Sequence, residues 1–288
     1  MSSARERKSI AFFAQVYRWA RFEDLLEFHW FRGIFVAAYF LYKRLYEDPL
    51  GSLIERNPEM FHGGDVLDIG ANVGYTASLF ARTVGPDARI YAFEPDCAAY
   101  QMLSDVVRRK NLPPIVEAIH SAVGDEVGSV EFWHNKSHSA DHRVATAALK
   151  ATGLLEEGTE SVQLTSVDAF VASRQLRRIG FIKVDVQGYE LAVCRGSEKT
   201  LQRFPDAIFC VEYSPESLRD LGFDPQELLQ FFRSRGYQLY LLTPARLSLA
   251  RDNAEINAFA ASAGYVDLIC SRKPLSGAAR PTVSTLPQ

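Results

Sequence analysis

The sequence predicts an α/β fold: an open, mostly parallel sheet with helices on both faces, preceded by a helical N-terminal segment. Three observations carry that expectation. Short apolar runs at 66–69, 90–93, 180–186 and 207–213 end in or beside polar residues and alternate with helical patterns, the rhythm that builds parallel sheets. The first run breaks into Gly70-Ala71-Asn72-Val73-Gly74, and a helical pattern over 76–83 follows at once, so a strand, a tight turn and a helix start succeed one another. Lastly, 288 residues with a 47% apolar share supply one ordinary core and an appendage, but not two full domains.

The appendage is 1–60. After a polar start, the pattern over 10–47 is helical and rich in aromatic residues, among them Phe12, Phe13, Tyr17, Trp19 and Phe22. Its longest uncharged piece is 10 residues, between Arg32 and Lys43, too short to span a bilayer. Arg18, Arg21, Glu23 and Asp24 interrupt the early apolar stretch, so no signal peptide is expected. A helix of this kind lies across its own domain, on a membrane surface or on a partner subunit. The first reading, a helix that covers the substrate side of the sheet and forms part of the pocket there, is preferred, with peripheral membrane or subunit contact as the alternative. The scattered Cys97, Cys194, Cys210 and Cys270 form no C-x-x-C pair and read as free thiols in a reducing, cytoplasmic compartment. A formal net charge of -3 gives no reason to expect nucleic acid.

The main domain is 61–272. Pro95 introduces a helix over 96–110, and 115–119 is the third strand, ending at His120-Ser121-Ala122. A hairpin-like excursion at 129–133 leads into 134–158, the least regular part, where a long loop tends to be functional. Then come a strand at 161–165, a helix to about 178 whose first-turn Asp168 reads as its cap, and a strand at 180–186. One helix is expected from the Gln187-Gly188 turn through 203, then a strand at 207–213, a helix at 224–235 and a strand at 238–242. The pattern over 244–264 assigns no element; 265–271 is the last strand, and 273–288, rich in Pro, Ser and Gly, is a disordered tail.

The first turn indicates its ligand partly by what it lacks. Gly70 and Gly74 let the backbone approach a ligand closely, and Asp68 at the strand end is placed to hold a polar group. A dinucleotide fingerprint needs G-x-G-x-x-G, but Asn72 and Tyr75 stand at its second and third glycine positions, and no G-K-[ST] of a P-loop follows. The second strand ends in Glu94, whose carboxylate suits both hydroxyls of a ribose. A glycine turn, Asn72 within it and a ribose acid fit S-adenosylmethionine, which has a ribose but no phosphate. Ser121, at the end of the third strand, falls where the adenine would lie. An NAD-dependent oxidoreductase is the rival that the missing glycines oppose.

Four motifs in order, DIGANVGYTA, YAFEPD, AVGDEVGSVEF and FIKVDVQGYELAVCRGSEKTL, resemble the FkbM family of S-adenosylmethionine-dependent methyltransferases over about 64–240. The resemblance implies a class I methyltransferase with a seven-stranded, mostly parallel, Rossmann-like sheet. It also implies O-methylation of a sugar, glycan or related hydroxylated small molecule. One departure stands out: the family usually reads D-V-E-G where this chain has Asp185-Val186-Gln187-Gly188. That departure keeps a non-catalytic cofactor-binding protein as a second alternative.

Methyl transfer from a sulfonium is a direct displacement, so positioning supplies most of the rate and a base for the acceptor proton adds to it. Asp185 ends a strand that is otherwise apolar apart from Lys183, two residues before it on the same face. It is read as touching the methionine part of the cofactor or the acceptor. His138 and His142, in the polar cluster His138-Ser139-Ala140-Asp141-His142-Arg143, are the other candidate bases, and Asp141-His142-Arg143 resembles a D-H-R loop of some FkbM relatives. H-x-x-D-H also approaches a zinc pattern, but Asn135, Ser137 and Ser139 are poor helix formers and the expected glutamate is an aspartate, so no metal is expected. Arg143, Glu190 and Glu212 are assigned to the acceptor. Glu190 alternatively complements its helix dipole, and Glu212 caps the Ser214-Pro215 turn.

Overall fold

The computed structural model describes residues 29–46, 49–112, 115–133, 142–153, 159–275 and 278. The helical segment is represented by α1 (His29–Tyr46) and α2 (Pro49–Arg56), followed by a 3₁₀ turn at Pro58–Phe61. The strands are β1 (Asp65–Ile69), β2 (Ile90–Phe93), β3 (Val116–Ile119), β4 (Ala122–Gly124), β5 (Gly128–Trp133), β6 (Arg143–Val144), β7 (Thr159–Ser166), β8 (Ile179–Val184), β9 (Ile208–Tyr213), β10 (Gln238–Leu242), β11 (Leu247–Leu249) and β12 (Val266–Ser271). Among the described residues they form an eight-stranded sheet, β11-β10-β12-β9-β8-β1-β2-β3, and a four-stranded sheet, β4-β7-β5-β6.

In the large sheet β3, β2, β1, β8 and β9 run parallel, and β12 returns antiparallel between β9 and β10. The expected seven strands are therefore present, and β11 adds an eighth at the edge, inside the stretch that the sequence pattern assigned to no element. Both faces are buried, which is why the strands read as near-continuous apolar runs. Leu67, Tyr91, Phe93, Ile182, Val184, Phe209 and Val211 face one core. Val66, Ile90, Phe181, Cys210, Tyr240 and Ile269, at alternating positions, face the other together with Leu50, Leu53 and Phe61. That second face is the one covered by α2.

Two expectations need correction. The single helix expected through 203 is two helices, Glu190–Arg195 and Glu198–Arg203. The break is at Gly196, where a Cβ would stand 2.0 Å from the carbonyl oxygen of Gly124, so only glycine lets this segment lie on β4. Asp168 does cap a helix, but not its own. Ser166 caps the helix Val167–Ser173, while Asp168 accepts from Lys199 N, Thr200 N and Thr200 Oγ1 at the start of Glu198–Arg203.

Candidate active site

At the carboxyl end of β1, Gly70 adopts φ +78, and a Cβ there would sit 1.9 Å from the backbone oxygen of Asp185. A side chain is excluded by backbone, so the turn is held against β8 and its outer surface stays open. Asn72 is also left-handed, with φ 48, a conformation asparagine tolerates better than most residues. Its backbone N–H donates to Glu94 Oε2 at 2.8 Å, and Asp96 N donates to Glu94 Oε1 at 2.9 Å. The carboxylate at the end of β2 is thereby fixed in orientation, and each oxygen keeps lone pairs for a ligand. Burial pushes the Glu94 carboxyl up to about 8, against the lowering effect of those two amides.

A cavity of about 600 Å³ opens over this edge of the sheet. On one side of β1 its wall includes Gly70, Asn72, Glu94 and Ser121, and on the other Asp185, Gln187, Glu212 and Asp267. Tyr39 and Lys43 of α1 also line it. Lys183 holds the two sides together. Its Nζ donates to Gly70 O at 2.7 Å and lies 3.5 Å from Asp68 Oδ1 and 3.4 Å from Asp185 Oδ2. Burial alone would lower the ammonium, but Asp185 and Asp68 raise it, so it is charged. Burial alone would likewise raise Asp185, yet Lys183, then Lys43, hold its carboxyl below the ordinary range.

The residues singled out in the sequence fall into three groups. Gly70, Asn72, Glu94, Ser121, His142, Asp185 and Glu212 all line the cavity. Asp68, Gly74, Arg143 and Glu190 are not part of its wall. Asp68 is sealed under the turn at 0% exposure, where it accepts from Thr76 Oγ1 at 2.6 Å and faces Lys183. Arg143 is engaged by Asp220 at 2.7 Å. Glu190 turns inward, and its Oε1 accepts from Val186 N and Gly188 N, each at 3.0 Å, bracing the turn after β8. His138 and Asp141 lie outside the described residues.

Ser121 lines the wall but spends its hydroxyl on the carbonyl oxygens of Ala122 and Gln163. Glu212 does not cap the following helix, because Ser214 accepts from Ser217 N there. His142 lines the cavity with Nε2 4.0 Å from Asp96 Oδ2, and Asp96, two residues after Glu94, caps the helix Cys97–Arg109. Among the described residues no group of His, Cys, Asp and Glu has a metal-holding arrangement.

The methyltransferase FkbM domain matches residues 68–239, more than half of the chain. The chain belongs to the FkbM methyltransferase family. The cofactor of this family is S-adenosylmethionine, and the crevice suits it: Gly70 permits close approach, and Glu94 offers two oriented carboxylate oxygens for a ribose diol. Relatives of this FkbM-family protein include the hexuronic acid methyltransferase AglP of Haloferax volcanii, 27% identical over 54% of this chain and 58% of that one. The methyltransferase sdnD of Sordaria araneosa is 24% identical over 66% and 83%, respectively. The 2-O-methyltransferase NoeI of Sinorhizobium fredii is 28% identical over 53% and 64%. The match thus spans little more than half the length of AglP. A solved methyltransferase FkbM from Methylobacillus flagellatus KT aligns at 14% identity over 72% of this chain and 43% of that one, with a TM-score of 0.43, too loose to bear on the site.

Four wall residues of this FkbM-family protein were not singled out in the sequence. Tyr39 and Lys43 sit in the helical segment expected over the substrate side of the sheet, where no individual residue stood out. Asp267 and Tyr265 fall at the start of β12, between β9 and β10, where the one available cue was an acid two residues into an apolar run.

Proposed function

We propose that this chain transfers the methyl group of S-adenosylmethionine to a hydroxyl of a sugar, glycan or similar hydroxylated small molecule. The observation that supports it most is the continuity of the cavity: the Gly70 turn and the Glu94 carboxylate open directly into a second chamber lined by Asp185, Gln187, Glu212 and Asp267. A cofactor laid along the first half presents its sulfonium to the second, where an acceptor oxygen can be held in line with the carbon–sulfur bond. Family membership and the names of two relatives, a hexuronic acid methyltransferase and a 2-O-methyltransferase, favour oxygen on a sugar as the acceptor.

The roles divide by strand. Gly70, Asn72 and Glu94 hold the nucleoside; Asp185, fixed and charged through Lys183, faces the methionine end; the chamber beyond takes the acceptor. Incubation with methyl-labelled cofactor and fractionated glycans and metabolites, followed by mass spectrometry, tests the reading. Label in a hydroxyl-bearing product is expected. Binding of S-adenosylhomocysteine with no labelled product in any fraction would favour a cofactor-binding protein without transfer, and binding of NAD in its place would favour an oxidoreductase.

A further inference from the structure

Asp267 is the residue of the chamber that no motif indicates, and its position follows from strand register. β12 runs antiparallel to β9 with Asp267 directly opposite Glu212, so their side chains share a face. β8 and β9 pair in parallel up to Val184 opposite Val211, and one step further puts Asp185 beside Glu212. Three adjoining strand ends therefore set Asp185, Glu212 and Asp267 in a row on the wall of one cavity. Like charges on paired strands cost stability, so a row of this kind is expected where it serves a function.

The members of the row are not equivalent. Asp185 is tied to Lys183, and Gln187 Nε2 donates to Asp185 Oδ1 at 3.1 Å and to Glu212 Oε1 at 3.4 Å. Among the described residues the Asp267 carboxylate has no such tie. His142 stands on the other side of β1, against Asp96 and next to the nucleoside end.

Resting on the methyltransferase reading above, we infer that Asp267, seconded by Glu212, binds the acceptor hydroxyl and takes its proton, and that the acceptor is a polyol without an acid group. In the step, the acceptor oxygen forms a bond to the methyl carbon while the carbon–sulfur bond breaks and its electron pair stays on sulfur. The hydroxyl proton passes to the Asp267 carboxylate and is later released to water. Burial, then Asp185, push Asp267 up to about 6, close to where a base working near neutrality should titrate. The charged or titratable groups around it are Glu212, Asp185, Lys183 and Cys210 on the sheet, Lys43 on α1, Glu216 on the helix Pro215–Asp220, and Tyr265. Lys43 is the one described lining cation apart from Lys183, so a uronate would meet mainly carboxylates.

The test uses the full chain, S-adenosylhomocysteine calorimetry, and transfer of labelled methyl to three probes: a methyl glucoside, a methyl glucosaminide and a methyl glucuronide. Transfer to the glucoside or glucosaminide over the glucuronide is expected. Asp267→Asn should lower kcat roughly 10²–10⁴-fold, remove the acid limb of the kcat–pH profile taken at saturating cofactor and leave S-adenosylhomocysteine affinity within about twofold. Retained affinity also shows that the variant is folded, and Asp267→Glu should recover part of the rate. Preference for the glucuronide, transfer to none of the three, or a larger kcat loss in His142→Ala than in Asp267→Asn would overturn the inference. Failure of the wild type to bind S-adenosylhomocysteine would instead sink the methyltransferase reading beneath it.

Discussion

Lys183 shows how a single buried charge holds the site together. Its side chain is 7% exposed and has two carboxylates and the Gly70 carbonyl as partners. Removing one partner of a buried ion pair leaves the other uncompensated, at a cost of roughly 3–5 kcal/mol. Lys183→Met should therefore lower unfolding stability in urea by about that amount, and Lys183→Met with Asp68→Asn should recover part of it. An unchanged midpoint in the single variant would show that Asp68 is not charged there. Glu94 makes the matching prediction for pH. Burial lifts its carboxyl to about 8 from 4.5, so the folded chain takes up a proton the unfolded chain would not. The stability this contributes is full below 4.5 and is lost as pH rises through about 8. Ribose binding wants the carboxylate, so affinity for S-adenosylhomocysteine should fall about tenfold for each pH unit below 8 and level off above it. Glu94→Gln, with no proton to lose, should show no such slope.

At the scale of elements, the cavity depends on how neighbouring segments are pinned. The three bonds that Asp168 accepts from Lys199 and Thr200 fix the start of the helix Glu198–Arg203, no residue of which lines the cavity. Asp168→Ala should cost about 1 kcal/mol, a fall in Tm of about 2–4 °C, with cofactor affinity unchanged. A loss of affinity equal to that of a Glu94 variant would mean the helix couples to the site. The cap also marks where sequence reading stops. An acid in a first turn is recognisable as a cap, but which helix it caps depends on the break at Gly196, whose cause is the backbone of Gly124 across the fold. Likewise the strand ends carrying Glu94, Asp185 and Glu212 were legible from apolar runs ending in acids. The partners of Arg143 and Glu190, Asp220 and the amides of Val186 and Gly188, were not legible, because they are set by tertiary packing and not by spacing. Asp267 escaped notice because its importance comes from standing opposite Glu212, a register that nothing local encodes.

Across the whole molecule, one topological fact organises the rest: β1 lies between β2 and β8, so a ligand over its carboxyl end has Asn72 and Glu94 on one hand and Asp185, Glu212 and Asp267 on the other. The run from β1 into its helix indicated the cofactor only together with Glu94 at the end of β2, and the fold only together with the later apolar runs, since each glycine and acid there answers a local demand of backbone or ligand. The part of the cavity proposed to take the acceptor was not legible as a whole, because it is assembled from α1, β8, β9 and β12, which meet only in the fold. Among the described residues no helix is long and apolar enough to cross a membrane. The central claim is that the crevice between Gly70 and Glu94 takes S-adenosylmethionine, and calorimetric titration of the full chain with S-adenosylhomocysteine tests it most directly. The account predicts one molecule bound per chain, no heat with NAD, and affinity at least about tenfold weaker in Glu94→Ala, the loss of a charge-assisted hydrogen bond or more. A folded wild-type chain that binds no S-adenosylhomocysteine, or an undiminished affinity in Glu94→Ala, would contradict it.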